Sequence, residues 1–188
     1  YDLVMAAEDA AGGDPWTLLS WIAGSTTRVR IAGAAAAPVR DPAVLGRAAA
    51  TLDLLSEGRL ELVVRAGSPS QSPSPSPSQS PSPSQSPSPP LSSGASPDVE
   101  THAGAGAGDG LLAETVEIVR GVLDAGEARP LRHVSGHFRV TGAQRGPLPA
   151  HRIPVWMTGD AWRLAGRTAD VWWAGTTTDL ATANKIID

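Results

Sequence analysis

One junction constrains this chain more than any other feature. "RLELVV", residues 59–64, has the composition of a buried strand, and three residues later the chain enters "SPSQSPSPSPSQ". From 68 to 97 the sequence is almost entirely Ser, Pro and Gln. Proline removes backbone donors and favours polyproline II, and serine adds no apolar area. Ordering a residue costs roughly 1–2 kcal/mol, which such a segment has no burial to offset. The "SPSPSQ" rhythm has no apolar position on which repeats could stack, so it is not a solenoid. "DVETHAGAGAGDG", residues 98–110, is also poor in structure-forming residues. The expected organisation is therefore an ordered part at 1–67, a disordered Ser/Pro/Gly-rich insertion at 68–110, and a second ordered part at 111–188.

The rest of the chain holds enough apolar residues for a core. Hydrophobic residues make up 41% of the 188, and the tract contributes almost none of them. That length suits one domain of ordinary size. With 15 basic and 19 acidic residues, nothing steers the protein toward nucleic acid or an anionic membrane. No cysteine is present, which removes disulfides and thiolate metal sites. The chain starts at Tyr1 inside what reads as a strand, and "YDLVMAAED" is neither a signal peptide nor a membrane span. A fragment or a shifted start is expected, with the cytoplasm as default location.

Outside the tract, strands and helices alternate. "YDLVMAA" is a strand. "DPWTLLSWIAG" starts with Asp14 at a cap position and Pro15 at the first helical position, and closes at Gly24. "RVRIAGAAAAP" is the next strand. "DPAVLGRAAATLDLLSEG" repeats the device with Asp41, Pro42 and Gly58, and Leu45, Ala48, Leu52 and Leu55 fall on one helical face. After the tract, "LLAETVEIVRGVLDAG" is a helix with a stripe of Leu112, Val116, Val119 and Leu123, ending at Gly126. "HVSGHFRV" reads as a hairpin, "RIPVWMTG" as a strand, "DAWRLAGRTA" as a helix and "DVWWAG" as a strand, and "DLATANKIID" begins another helix. This alternation predicts parallel βαβ units.

Four stretches in order, "DPWTLLSWIAGSTTRVRI", "DPAVLGRAAATLDLLSEGRLEL", "RGPLPAHRIPVWMTG" and "RLAGRTADVWW", resemble the luciferase-like flavin-dependent oxidoreductases, in particular their deazaflavin-using actinobacterial branch. The resemblance covers nearly all of 1–67 and 111–178. It implies an α/β fold of the (β/α)8 TIM-barrel type, which usually takes about 250 residues. Only five strands are found here, so the barrel is expected to be incomplete. The Ser/Pro tract then replaces barrel structure rather than linking two domains. Open sheet edges would follow.

Such barrels carry their chemistry at the C-terminal ends of the strands. The resemblance accordingly implies a cofactor, FMN or the deazaflavin coenzyme F420, near three junctions. At "AGAAAAP" small side chains let a flavin ring approach the backbone, and Ala34 and Ala35 match the place of the family's non-proline cis peptide. At "VVRAG" the candidates are Arg65, Ala66 and Gly67, although Val63 and Arg65 replace expected glycines. At "TGDAWRLAG", Gly159 and the amides after it open a helix suited to phosphate, while Asp160 opposes an anion. The family's proton-handling His is absent: "AEDAA" puts Glu8 and Asp9 there, the candidate acid–base residues.

Other features read as structural. Asp53, Arg59 and Asp170 lie at helix–strand junctions, where such side chains fasten the chain. His133 and His137 are spaced for metal on a helix, but "HVSGH" is a hairpin. "GAGAGDG" fails the dinucleotide pattern and reads as linker. Most of the six Trp are expected in the core. "PSPP" at 87–90 satisfies PxxP, a ligand pattern of SH3-like grooves. The leading function is hydride transfer or monooxygenation on a small-molecule substrate, with a homodimer as the expected assembly and no nucleic acid or membrane partner. A catalytically degenerate barrel unit and a secreted binding module are the alternatives.

Overall fold

Two Asp-Pro steps frame the first half of the molecule. The computed structural model describes residues 1–8, 13–37, 39–67, 107–159 and 161–174. Strand β1 (Leu3–Ala7) is followed by α1 (Pro15–Ser25), whose first turn is capped by Asp14 accepting from the Thr17 amide at 2.8 Å. Strand β2 (Arg30–Ala37) leads to α2 (Pro42–Leu55), where Asp41 accepts from the amides of Ala43 and Val44 at 2.8 and 3.0 Å. Each cap satisfies donors the helix cannot, and each proline sits where no donor is needed. Helix α2 closes through Glu57 and Gly58, both at positive φ, and β3 (Leu60–Ala66) follows.

The second half repeats the alternation around a hairpin. Helix α3 (Ala107–Leu123) precedes β4 (Leu131–Val134) and β5 (Arg139–Ala143), which pair antiparallel. Then come β6 (Val155–Thr158), α4 (Trp162–Thr168) and β7 (Val171–Trp173). The five other strands form one parallel sheet in the order β1-β2-β3-β6-β7. Strand β6 pairs directly with β3, so the sheet is continuous across the tract. The expected five-stranded α/β unit is what forms.

Alternation along the strands separates two faces. Ile31, Ala35, Leu60, Leu62, Val64, Val155 and Met157 join Leu19, Leu45, Leu52, Leu112, Val116 and Val119 in the main core under the helices. Ala32, Ala34 and Val63 point to the other face, with Leu3, Met5 and Trp156 packed against them. In a closed barrel that second face is the interior. Each fully buried Leu contributes roughly 1.5–3 kcal/mol, so the helix-facing layer dominates stability.

Several local expectations change. Helix α3 begins at Ala107, so "AGDG" at 107–110 is helical rather than linker, and the helix ends at Leu123, short of Gly126. It is buried on two sides: Ile118 and Val122 pack with Ala43 and Val140 beneath the hairpin. This second burial is why α2 presents Gly46, Ala49 and Ala50 inward, while Leu55 stands 60% exposed. Trp16 is buried, but Trp21 is 70% exposed and Trp156 and Trp172 are half-buried. The tract at 68–106, "PSPP" within it and the helix expected from "DLATANKIID" lie outside the described residues. No helix among the described residues is long and apolar enough to cross a membrane.

The junction residues fasten the fold as expected. Arg59 donates to the carbonyls of Ala23, Thr26, Val29 and Ser56 and to the Thr26 hydroxyl, at 2.6–3.0 Å. One guanidinium thus ties the end of α1 to the starts of β2 and β3, which suits its planar array of donors. Fully buried Asp53 accepts from the Leu60 amide at 3.4 Å and the His151 amide at 3.1 Å, joining segments on both sides of the tract. His151 Nδ1 also lies 2.8 Å from Asp53 Oδ1, a close contact too misaligned for a hydrogen bond.

Candidate functional site

The strand order brings the C-terminal ends of β1, β2 and β3 together, and β6 and β7 continue the same rim. Register places Ala7, Ala34, Val63, Trp156 and Val171 in one row across the sheet. Ala36 opposite Arg65, and Thr158 opposite Trp173, lie one step nearer the rim. Strand β2 contributes only alanine from Ala34 to Ala37, each 3% exposed or less. Such a surface offers backbone and methyl groups and nothing larger.

Glu8 is the hub of the rim. Its amide donates to Ala34 O at 3.2 Å, which extends the β1–β2 ladder one residue. One carboxylate oxygen accepts from the Ala36 amide at 3.3 Å, and the other from Arg40 Nε at 2.8 Å. Arg40 continues to Asp14 Oδ1 at 3.0 Å and lies 5.8 Å from the centre of the Trp16 ring. Arg65 donates from Nη2 to the Glu8 carbonyl at 2.6 Å. Glu8 therefore lies at the strand end where the sequence put it, but both its oxygens are engaged, which makes it a strut.

The charges hold one another in place. Burial lowers the proton affinity of Arg40, but the carboxylates of Glu8 and Asp14 outweigh it and hold the guanidinium above its usual range. For Asp14, partial burial opposes ionisation. The hydroxyl and amide of Thr17 and the Arg40 guanidinium overcome it and pull the carboxyl below its ordinary value. Asp14 thus serves as helix cap and as the outer anchor of Arg40.

The other sequence candidates distribute unevenly. Ala34 pairs with Ala7 and Val63 and Ala35 with Val64 alone, both within β2, and the cis peptide expected there is not found: among the described residues only Gly146–Pro147 is cis. Ala66 ends β3 in solvent, and the Gly67 amide donates to Ala37 O at 2.8 Å. Gly159 turns the chain out of β6 at φ 76°, a conformation that favours glycine, and its carbonyl accepts from Trp172 Nε1 at 2.9 Å. Helix α4 after it spans seven residues and has no side-chain cap. Asp9 and Asp160 lie outside the described residues. Sequence reasoning missed Arg40, whose signal was its position between the end of β2 and the Asp41 cap.

The histidines form no metal centre. Among the described residues no group of three or more His, Asp or Glu side chains is arranged for a metal ion. His137 Nδ1 lies 2.9 Å from Glu114 Oε1, Ser135 Oγ donates to Glu114 Oε2, and His133 Nδ1 is 3.6 Å from Glu117. These contacts fasten the hairpin to α3.

Residues 1–74 match the luciferase-like monooxygenase family. No curated protein sequence matches the chain at a significant level. Among solved structures, the monooxygenase RslO1 from Streptomyces bottropensis is 20% identical with a TM-score of 0.67, over 100% of this chain and 53% of that one. An F420-dependent secondary alcohol dehydrogenase, solved with an F420-acetone adduct, is 18% identical with a TM-score of 0.67, over 92% and 48%. The coenzyme F420-dependent tetrahydromethanopterin reductase from Methanopyrus kandleri is 16% identical with a TM-score of 0.64, over 91% and 47%. The chain thus spans about half the length of these barrels and shares their fold over that half.

The alanine row presents only methyl groups and backbone, and its residues are 3% exposed or less. Arg65 commits one N–H to Glu8, and its remaining N–H groups have no partner among the described residues, which fits an anionic tail. Val63, 1% exposed and on the inner face, narrows the place where the resemblance implied glycine. The donor set fits the group, with less room around β3.

Proposed function

We propose that this chain carries part of the flavin-binding rim of a luciferase-like oxidoreductase and binds FMN or the deazaflavin coenzyme F420. The supporting observation is the juxtaposition of the all-alanine end of β2 with Arg65 at the C-terminal rim of a parallel sheet. When bound, the ring system supplies hydride transfer or oxygen activation, and the protein supplies orientation and exclusion of water. Here the alanine row seats the ring, Arg65 attracts the phosphate-bearing chain, and the Glu8–Arg40–Asp14 network holds the rim rigid. The substrate is a small molecule. Structures of this fold include F420-dependent enzymes and a Baeyer-Villiger monooxygenase from Pseudomonas putida in complex with FMN, so the choice between FMN and F420 belongs to experiment. The two ordered parts on either side of 68–106 act as one unit in this reading, and a homodimer is its expected assembly.

Titration of the purified chain with FMN and, separately, with F420, read by cofactor fluorescence, tests this. Saturable binding of one is the expected result. A second reading is favoured by Val63 on the inner face and by the fully engaged Glu8: a barrel unit that has lost catalysis and serves as structure. No binding of either cofactor by a chain that melts cooperatively would establish that reading.

A further inference from the structure

Arg30, Arg40, Arg120 and Arg152 each meet a carboxylate. Arg47 on α2, Arg132 on β4 and Arg139 on β5 do not: all are exposed, and their side chains have no partner among the described residues. They are also neighbours. Arg47 and Arg139 line one groove of about 330 Å3 between α2 and β5. Arg132 stands opposite Thr141, whose residue lines the same groove. Acidic residues outnumber basic ones in this chain, 19 to 15, so three unpaired arginines around one groove run against its balance. The one acid among the described lining residues is Asp41, and its Oδ1 is committed to the amides of Ala43 and Val44. Asp41 thereby also occupies the first free amides of α2, so the groove offers side-chain charge and not a helix end.

The groove has a fixed base. Ala43 and Val140 lie in its lining and pack with Ile118 and Val122 in the core beneath the hairpin. The two arginines therefore stand on different elements that are held against one another. Two guanidinium groups so placed can take an oxyanion from two sides, each with its planar fork of N–H groups. The exposed hydroxyl of Thr141 and amide of Gln144 add neutral donors beside them. The volume lies near the lower end of small-molecule clefts, about 300–1,000 Å3. A net charge of −4 disfavours a long polyanion, which would meet the rest of the surface as well. We propose that the α2–β5 groove binds a small molecule carrying two or more neighbouring anionic oxygens, phosphate or carboxylate, gripped by Arg47 and Arg139 with Arg132 adding charge at the edge. The groove lies on the helix side of the sheet, away from the inner face, and the proposal does not rest on the flavin reading.

Pyrophosphate and citrate are the probes, the first offering only phosphate oxygens and the second three carboxylates. Thermal melts of the full chain are recorded against each probe and against potassium chloride at matched ionic strength. The Arg47→Gln/Arg139→Gln double variant is melted alongside, with Arg28→Gln/Arg167→Gln as a control that removes the same charge from exposed arginines elsewhere. In the wild type and the control, Tm is expected to rise with at least one probe beyond the effect of chloride. In the double variant that probe is expected to bind at least about tenfold more weakly. A rise with pyrophosphate alone names the phosphate source, a rise with citrate alone the carboxylate source, and a rise with both supports the shared chemistry. In the 15N-labelled wild-type chain, the amides of Thr141 and Gly142 are expected to shift saturably with the same midpoint. No rise beyond chloride with either probe overturns the proposal. So does an equal rise in the double variant, an equal loss in the control, or amides at 141 and 142 that the probes leave in place. Should the double variant not fold, the wild-type amides decide: saturation at 141 and 142 upholds the site and stillness overturns it.

Discussion

At the scale of single residues, the carboxylates at strand starts govern how the fold responds to acid. Asp170 accepts from the Val155 amide at 2.9 Å and from Arg120 and Arg152 at 2.9 and 2.7 Å, so it joins the starts of β6 and β7 to α3. Burial raises its proton affinity, but that amide and the two guanidinium groups prevail and hold the carboxyl below its ordinary 3.8. The folded state therefore binds this proton less readily than the unfolded chain does. Its stabilising contribution is complete above 3.8 and disappears as pH falls through the lowered folded value. Asp170→Asn keeps an acceptor for Val155 and loses the charge. Urea melts over a pH series are expected to show the variant less stable near neutrality, with the gap closing below 3.8. A gap that persists undiminished in acid would mean the ion pairs contribute nothing.

These residues also show what was legible in the sequence and why. Asp53, Arg59 and Asp170 were readable as fasteners, because helix–strand junctions leave backbone groups that need partners. Arg40 was not, since its role depends on where the ends of β1 and β2 meet. The alanines at 34 and 35 lie in the C-terminal half of β2, whereas the cis peptide that the resemblance implied is not found in this strand. That Trp156 Nε1 has no partner among the described residues has no signature in the sequence, because partnership is a property of packing alone.

At the scale of elements, the least legible feature was the two-sided burial of α3. A periodic stripe identifies one buried face, and Leu112, Val116 and Val119 form it. The second face of Ile118 and Val122 requires the hairpin, which lies later in the chain. Its docking also draws "AGDG" into the first turn against weak glycine propensity. The same packing explains Gly46 in the middle of α2. A Cβ there would stand 2.9 Å from Val122 Cβ, and the cost of glycine in a helix, about 1 kcal/mol, is accepted for close contact. Propensity alone predicts that Gly46→Ala stabilises. Packing predicts that it destabilises, by about 1–3 kcal/mol. A double-mutant cycle with Val122→Ala decides between them. The packing account expects Gly46→Ala to be harmful in the wild-type background and neutral or favourable once Val122 is shortened. Independent, additive effects would count against it.

At the scale of the whole molecule, the described sheet has two open edges, β1 and β7. The solved barrels it resembles are about twice as long, and a closed barrel has no edge. Hydrogen bonds show which groups β1 leaves open. Glu8 N donates to Ala34 O and Asp2 O accepts from Arg30 N, so even-numbered residues of β1 serve β2. By the alternation of a parallel ladder, the amides of Leu3, Met5 and Ala7 point away from the sheet. A row of free donors and acceptors beside an apolar face favours addition of another strand, and a second copy of the chain is the partner always at hand. Sedimentation velocity over a concentration series is expected to show self-association of the isolated chain. Ala7→Pro is expected to weaken it. Ala7 is exposed and its amide is not used by β2, so the substitution removes an edge donor without breaking a bond of the sheet. A variant that associates as strongly as the wild type, with its Tm unchanged, would place the contact elsewhere, and the exposed apolar surface of α1 around Leu18 and Trp21 would be the surface to alter next.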